Sequence, residues 1–482
     1  MKQSPLAFYK NMSPAVRTSV WFTLCNFLQR GAACLTIPIF TRLLTTAEYG
    51  ICNVYFAWFD LFIIFTSLKL PYEGLNNGLI RYGDDPDGYT SSMMGLILSL
   101  TAGAFLLSRL FQDWLITVTG LSSFLLHILM LQLLFQPALM LWTNRERFDF
   151  RYRWPVIITL LSTIANPLIA IIAVLSTGYR AEARIISSAA VQIALGLGLA
   201  ILLFRRGKRF YKKEYWIFAL RFNLPLLAYY LSQSLLNQSD RIMINYFSGS
   251  GSAAIYSVAY SAATLMLLLI SAINGSFNPW MYKKLKSGEH AQIGQTAVRL
   301  CALIGLATLA LIAFAPDLIW LLATEDYREA IWIIPPVAAS VYFVFVYMVF
   351  ANATMYHDKN HGIATISIIC AAANVVLNAI FIPRFGYLAA GWTTLFCYML
   401  LALLHGILMC RICRKQQVAL FPLKTIILLS VGVVGMTFAM MGLYTFGYWR
   451  YFVIAAELAA LFVFRKKLGA TFQQIRKGAD TK

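Results

Sequence analysis

The chain has 482 residues, of which 60% are hydrophobic and only 12% charged, about half the charged share of an ordinary soluble protein. Such a composition excludes a water-soluble enzyme, and the nearly continuous apolar stretches leave no room for a soluble domain. The formal net charge of +20 comes from short basic clusters between apolar segments rather than one basic face, so nucleic acid is excluded as a partner in favour of membrane lipids.

The opening stretch MKQSPLAFYKNMSPAVR carries no short apolar core followed by a small-residue cleavage site. No removable signal peptide is therefore expected, and the first span doubles as the insertion signal. A hydrocarbon core of about 30 Å needs roughly 20 helical residues. Runs of that length predict fourteen spans, at 18–41, 50–70, 90–108, 122–142, 155–176, 183–204, 217–244, 253–275, 293–315, 330–352, 362–382, 388–409, 423–444 and 449–464.

In the first span, Asn26, Gln29 and Arg30 share one helical face by i, i+3 and i+4 spacing. Arg30 lies about twelve residues in, roughly 18 Å deep at 1.5 Å per residue and so near the midplane. A charge at that depth faces a cavity or a partner. Asp60, about ten residues into the second span, sits at similar depth on the adjacent antiparallel helix. It is either the ion-pair partner of Arg30 or a proton or sodium site, because desolvation moves a midplane carboxylate toward the working pH range.

The connection RRGKRFYKKEY, residues 205–215, is the most charged and separates the first six spans from the next six. The division expected from it is an N-terminal bundle over 1–209, a C-terminal bundle over 210–415, and two further spans with a basic tail over 416–482. A faint internal repeat supports two halves: AEYGICNVYFA from Ala47 superposes on GSAAIYSVAYS from Gly251, pairing Ile51 with Ile255, Val54 with Val258 and Phe56 with Tyr260.

The seventh span carries Tyr230, Gln233, Asn237, Asp240 and Arg241 along an otherwise apolar helix, a stripe that lipid does not tolerate. It serves either as a substrate-contacting surface or as interhelical glue. Arg299 lies about six residues into the ninth span, shallow enough to snorkel, and Arg221 is shallower still. His127 and His405 are isolated on apolar helices and are expected as satisfied packing residues. His357 and His361 stand in a short polar loop, HDKNH, expected to be solvated. The eight cysteines are scattered and read as free thiols; Cys410 and Cys413 form a lone CxxC with nothing to complete a zinc set. Trp449 and Tyr451 are interfacial anchors.

With the first residue inside, the inward-facing segments hold 29 basic residues and the outward-facing segments 8. That bias places both termini in the cytoplasm.

Four segments resemble a known family, the polysaccharide transport (oligosaccharide flippase) family of the multidrug/oligosaccharidyl-lipid/polysaccharide exporter superfamily. They are TRLLTTAEYGI (Thr41 to Ile51), NQSDRIMINYFSGSGSAAIYSVAYS (Asn237 to Ser261), the segment around Asn278-Pro279, and ANVVLNAIFIPRFGYLAAGW (Ala373 to Trp392). The second has Ala-Ala-Ile-Tyr where the family more often has Gly-Ile-Tyr. The resemblance implies an all-α transmembrane fold of about fourteen helices, with two pseudo-symmetric six-helix bundles around a central cavity and two C-terminal helices. It implies alternating access in the bacterial cytoplasmic membrane, and export of an oligosaccharide carried on a polyprenyl pyrophosphate for O-antigen, capsule or exopolysaccharide. The implied partners are that lipid-linked oligosaccharide, a coupling proton or sodium ion, and polysaccharide assembly proteins; no cofactor and no catalytic residue is implied.

Under that reading the pyrophosphate needs a buried cation, for which Arg30 is the candidate, similar in position to a cavity arginine of the related lipid II flippases. Arg299 offers a second phosphate contact. Asn26, Gln29, Gln233 and Asn237 are candidate glycan contacts, with Asp240 and Arg241 at the outer mouth. Asp60 is the candidate ion-coupling acid. The competing functions are a drug/cation antiporter of the same superfamily, which favours acidic over basic cavity residues, and a membrane-embedded glycan polymerase or ligase, which requires a substantial external loop where none exceeds about twenty residues.

Overall fold

The computed structural model describes residues 13–357 and 360–480. Lys2, Lys10, Lys359 and Lys482 of the charge count fall outside that set, as does Asp358 of the HDKNH loop. Among the described residues there are helices and turns and no strand, the only open-ended way to satisfy backbone polar groups in lipid.

Helix α1 (Pro14–Leu43) starts where Ser13 accepts a hydrogen bond from the Val16 amide and Pro14 takes the first turn. It ends at Leu44, and Thr45 opens α2 (Thr46–Ser67) with a capping box in which Glu48 reaches back to the Thr45 amide. Leu68 and Lys69 then adopt left-handed backbone, followed by a π-helical turn, Leu70–Gly74, and the short α3 (Leu75–Arg81). The chain continues through α4 (Pro86–Leu110), α5 (Gln112–Thr119), α6 (Ser123–Phe148), α7 (Arg153–Ser176) and α8 (Arg180–Gly207). Next come α9 (Lys213–Thr264), broken at Gly249 with φ 84°, and α10 (Met266–Lys286). The remainder is α11 (His290–Ala313), α12 (Ala315–Leu322), a 3₁₀ turn at Glu325–Trp332, α13 (Ile334–Tyr356), α14 (Asn360–Phe385), α15 (Ala389–Lys415), α16 (Leu423–Leu443) and α17 (Trp449–Asp480).

Among the described residues, eleven helical stretches are long and apolar enough to cross a membrane, and one of these, Lys213–Lys286, contains two spans separated by the Gly249 break. With α1 and α17 this gives the fourteen spans expected. α1 falls short on apolarity because Asn26, Gln29 and Arg30 sit in its middle. The tenth span was expected from residue 330; its α-helix starts at Ile334, where Pro335 and Pro336 occupy the first turn.

By packing, the described chain forms two compact units, Met1–Gly251 and Ser252–Lys482. The expected division at 209/210 and 415/416 concerns transport halves and is taken up as a proposal below. In the first unit the basic connection is tied down rather than free. Arg206 pairs with Glu146 at 3.1 Å, Arg209 pairs with Asp85 at 2.9 Å, and Ser91 donates to the Arg209 carbonyl at 2.8 Å. Tyr215, at the start of α9, donates to Asp85 and packs its ring against Tyr82 and Tyr89 with centroids 4.6 and 5.2 Å away. At the Gly249 break of α9, a Cβ on Gly50 would stand 1.8 Å from the Ser250 carbonyl oxygen, so the glycine of the AEYG motif permits a close backbone approach.

The second unit packs α10, α11, α13, α15 and α16 around Phe277, Trp280, Tyr342 and Phe345, each with no exposed surface. Its motif asparagines act between and along helices. Asn352 donates to Asn274 at 3.0 Å and to Asn278 at 2.5 Å, Asn378 donates to Asn374 at 3.3 Å, and Thr393 donates to Asn378. Buried amides of this kind are tolerated in a bilayer because they satisfy one another.

Candidate functional site

Asn26, Gln29 and Arg30 are exposed on α1, and none makes a hydrogen bond or ion pair through its side chain with a described residue. No ion pair joins Arg30 to Asp60; of the two alternatives for that carboxylate, the pairing with Arg30 does not form. Lipid alone does not tolerate a guanidinium near the midplane.

Asp60 instead meets α9. Its carboxylate accepts from the Gln238 side-chain amide at 2.8 Å, and its backbone carbonyl accepts from the Ser234 hydroxyl at 3.3 Å. The Gln238 amide oxygen in turn accepts from Arg241 at 2.6 Å, which also donates to the Asn237 carbonyl at 3.1 Å. Arg241 and Lys69 both act electrostatically on the Asp60 carboxylate. One turn further along, the Tyr230 hydroxyl donates to Glu73 in the π-helical turn. The polar face of the seventh span is thus wider than expected, with Tyr230, Ser234, Gln238 and Arg241 turned toward α2 and the π turn. Its other flank holds Gln233 and Asn237, whose amide donates to the Gln233 carbonyl at 2.7 Å. Asp240 is buried, with 1% of its surface exposed.

In the second unit Arg299 is half-buried and donates to Thr471 of α17 at 3.1 Å. Arg221, in the first unit, is exposed. His127 contacts Arg109 and the Ser123 carbonyl, as a satisfied packing histidine should. His405 departs from that expectation: it is fully buried and stacks on Tyr347 at 5.5 Å, yet neither ring nitrogen has a hydrogen-bond partner among the described residues. His357 is bound to Gln416 at 3.1 Å.

A second polar region was missed from sequence. Within the first unit, α1, α2, α6, α7 and α8 enclose a pocket of about 400 Å³ into which Gln29, Gln136, Asn166, Arg184, Ser188 and Gln192 project. Behind it the buried Gln132 accepts from Tyr55 at 2.7 Å and donates to Gln192 at 2.6 Å and Gln136 at 3.3 Å. The signal was present: Gln132 and Gln136 on α6, and Arg184, Ser188 and Gln192 on α8, repeat at i+4 in otherwise apolar helices. Gly196 lets the two helices meet, since a Cβ there would lie 2.3 Å from the Phe135 carbonyl oxygen. A larger groove of about 1010 Å³ in the second unit, along α13, α15 and α16, is lined almost wholly by apolar side chains such as Phe396, Leu403, Ile427 and Phe438. It suits hydrocarbon rather than sugar.

Comparison with known proteins agrees with this architecture. The chain is 13% identical to the lipid II flippase MurJ in its inward closed conformation, covering 93% of this chain and 100% of that one with a TM-score of 0.72. An inward-facing multidrug resistance MATE family transporter of the MOP superfamily is 14% identical, covering 80% and 95% with a TM-score of 0.61. At these identities the likeness establishes the shared fold. The Lsg locus putative protein 1 of Haemophilus influenzae is 25% identical over 155 residues, a match spanning 32% of this chain and 38% of that relative. The family model described as polysaccharide biosynthesis protein matches residues 15–284, more than half of the chain and including three of the four segments on which the resemblance was read. This multi-pass membrane protein therefore belongs to the polysaccharide biosynthesis protein family.

Proposed function

We propose that the protein is a flippase that moves a polyprenyl-pyrophosphate-linked oligosaccharide across the bacterial cytoplasmic membrane by alternating access, for assembly of a cell-surface polysaccharide. The observation that carries this reading is Arg30, a cation in the middle of α1 with no counter-charge among the described residues, flanked by the amides of Asn26 and Gln29, which likewise have no described partner. The substrate has an anionic pyrophosphate, a polar glycan and an apolar tail. Arg30 neutralises the first, with a planar fork suited to phosphate oxygens. Asn26, Gln29, Gln233 and Asn237 exchange hydrogen bonds with the second, with Asp240 and Arg241 at the outer mouth, while the tail stays in lipid. Arg299 assists through those N–H groups that Thr471 leaves open. Asp60, held by Gln238, is the ion-coupling acid, taking a proton or sodium ion. The two transport halves are residues 1–209 and 210–415, followed by 416–482, and both termini are cytoplasmic.

The test is export of the surface polymer by Arg30 variants at matched protein abundance. Arg30→Ala abolishes external polymer, and Arg30→Lys restores part of it, keeping charge but not the bidentate fork. Full export by Arg30→Gln would show that no positive charge is needed there and would remove the phosphate role.

A further inference from the structure

We propose that the polar pocket inside the first unit is a subsite for an acidic sugar residue of the transported glycan, with Arg184 pairing with the sugar carboxylate. The inference rests on the flippase reading and adds to it a binding position and a ligand class.

The pocket, about 400 Å³, falls in the size range of small-molecule sites, roughly 300–1,000 Å³. Its lining is polar, although the helices that supply it are otherwise apolar. The Arg184 guanidinium is stacked between Phe40 and Tyr49, its carbon 4.1 and 4.7 Å from the two ring centroids, with the Cys52 thiol beside it. Stacking of this kind holds the planar group in one orientation. No described carboxylate forms an ion pair with it, and its Nη1 is buried without a hydrogen-bond partner. A half-buried cation whose Nη1 is a buried, idle donor calls for an anionic acceptor.

The remaining groups specify what the anion is attached to. The amide oxygens of Gln136 and Gln192 are both occupied by Gln132, which leaves their NH2 groups as donors without a described partner. Asn166 donates to Ser188 at 3.1 Å, leaving its own carbonyl oxygen to accept. With Gln29, whose amide also has no described partner, the set is rich in donors, offers two acceptor amide oxygens and one cation, and has no carboxylate to receive an amino sugar. A pyranose carrying a carboxylate and hydroxyls satisfies all of these groups together. Gln29 lines the same pocket, so a sugar there lies one residue along α1 from the phosphate-binding candidate Arg30.

The test is saturation-transfer NMR on the full-length protein in detergent, with methyl β-glucuronide and methyl β-glucoside as probes. The wild type is expected to bind the glucuronide about tenfold more tightly than the glucoside, the size expected of a charge-assisted pair. Arg184→Gln removes that preference and Arg184→Lys keeps part of it. Should Arg184→Gln fail to fold, Ala33→Phe, which fills the pocket from α1 with the guanidinium untouched, abolishes binding of both sugars. Equal binding of the two probes by the wild type, no binding of either, or glucuronide binding unchanged in these variants overturns the subsite. Two further results separate the proposals: normal polymer export by Arg30→Gln removes the phosphate role of Arg30, and unchanged surface polymer in cells lacking the protein defeats the flippase reading, while the sugar preference stands in either case. Arg30-dependent export without any sugar preference defeats the subsite alone.

Discussion

Replacing Gln238 with leucine removes the one side chain that bridges Asp60 and Arg241. Two hydrogen bonds are lost, at 2.8 Å to the carboxylate and 2.6 Å from the guanidinium. Hydrogen bonds to charged groups contribute about 1.5–3 kcal/mol each in soluble proteins. Interhelical bonds measured in a bilayer protein average about 0.6 kcal/mol and reach about 1.7. Because Asp60 is exposed at the surface of its unit, the lower scale applies, and Gln238→Leu should cost about 1–2 kcal/mol. Asp60→Asn keeps an oxygen that accepts from Gln238 and should cost less than half of that. The double variant should be as stable as Gln238→Leu alone, so the coupling energy in a double-mutant cycle equals the Asp60→Asn cost, roughly 0.5 kcal/mol. Denaturation in detergent micelles measures the stabilities, and proteoliposome uptake under an imposed proton or sodium gradient measures coupling. If Asp60 is the coupling acid, Asp60→Asn inserts normally and loses gradient dependence, whereas Gln238→Leu retains it with altered ion affinity. Strict additivity in the cycle would refute the bridge. Gradient-dependent transport by Asp60→Asn would refute the coupling role.

Gln132→Leu strands the buried Tyr55 hydroxyl and frees Gln136 and Gln192; it should lower stability by about 1–3 kcal/mol, and a double variant with Tyr55→Phe should recover part of the loss. Gly50→Ala places a Cβ 1.8 Å from the Ser250 carbonyl and should cost about 1–3 kcal/mol by forcing α2 from the Gly249 break, whereas Gly103→Ala, which meets nothing within 4 Å, should be neutral or slightly stabilising. Reporter fusions after residues 208 and 482 should both report cytoplasm, and an external signal from either would overturn the orientation.

The number of spans and their approximate limits were legible in the amino-acid sequence. The bilayer imposes one length on every crossing segment and forces each to be helical, so hydropathy read along the chain carries that information. The family segments were legible too, and their physical sense follows from the fold: Thr45 and Glu48 close a capping box, Gly50 admits a neighbouring backbone, and Asn374 and Asn378 meet each other inside the second unit. What the sequence did not determine is which polar group meets which. Asp60 and Arg30 are expected at similar depth, yet Asp60 is bonded to Gln238 while Arg30 has no partner among the described residues. Depth fixes one coordinate of a side chain, whereas pairing depends on helix rotation and on which helices are neighbours. Those are set by tertiary contacts, such as the Tyr82, Tyr89 and Tyr215 cluster that anchors the start of α9 and the Gly196 contact between α6 and α8. The same contacts turned five scattered polar residues, Gln132, Gln136, Arg184, Ser188 and Gln192, into the wall of one pocket and its backing, because only packing brings the i+4 stripes of separate helices face to face.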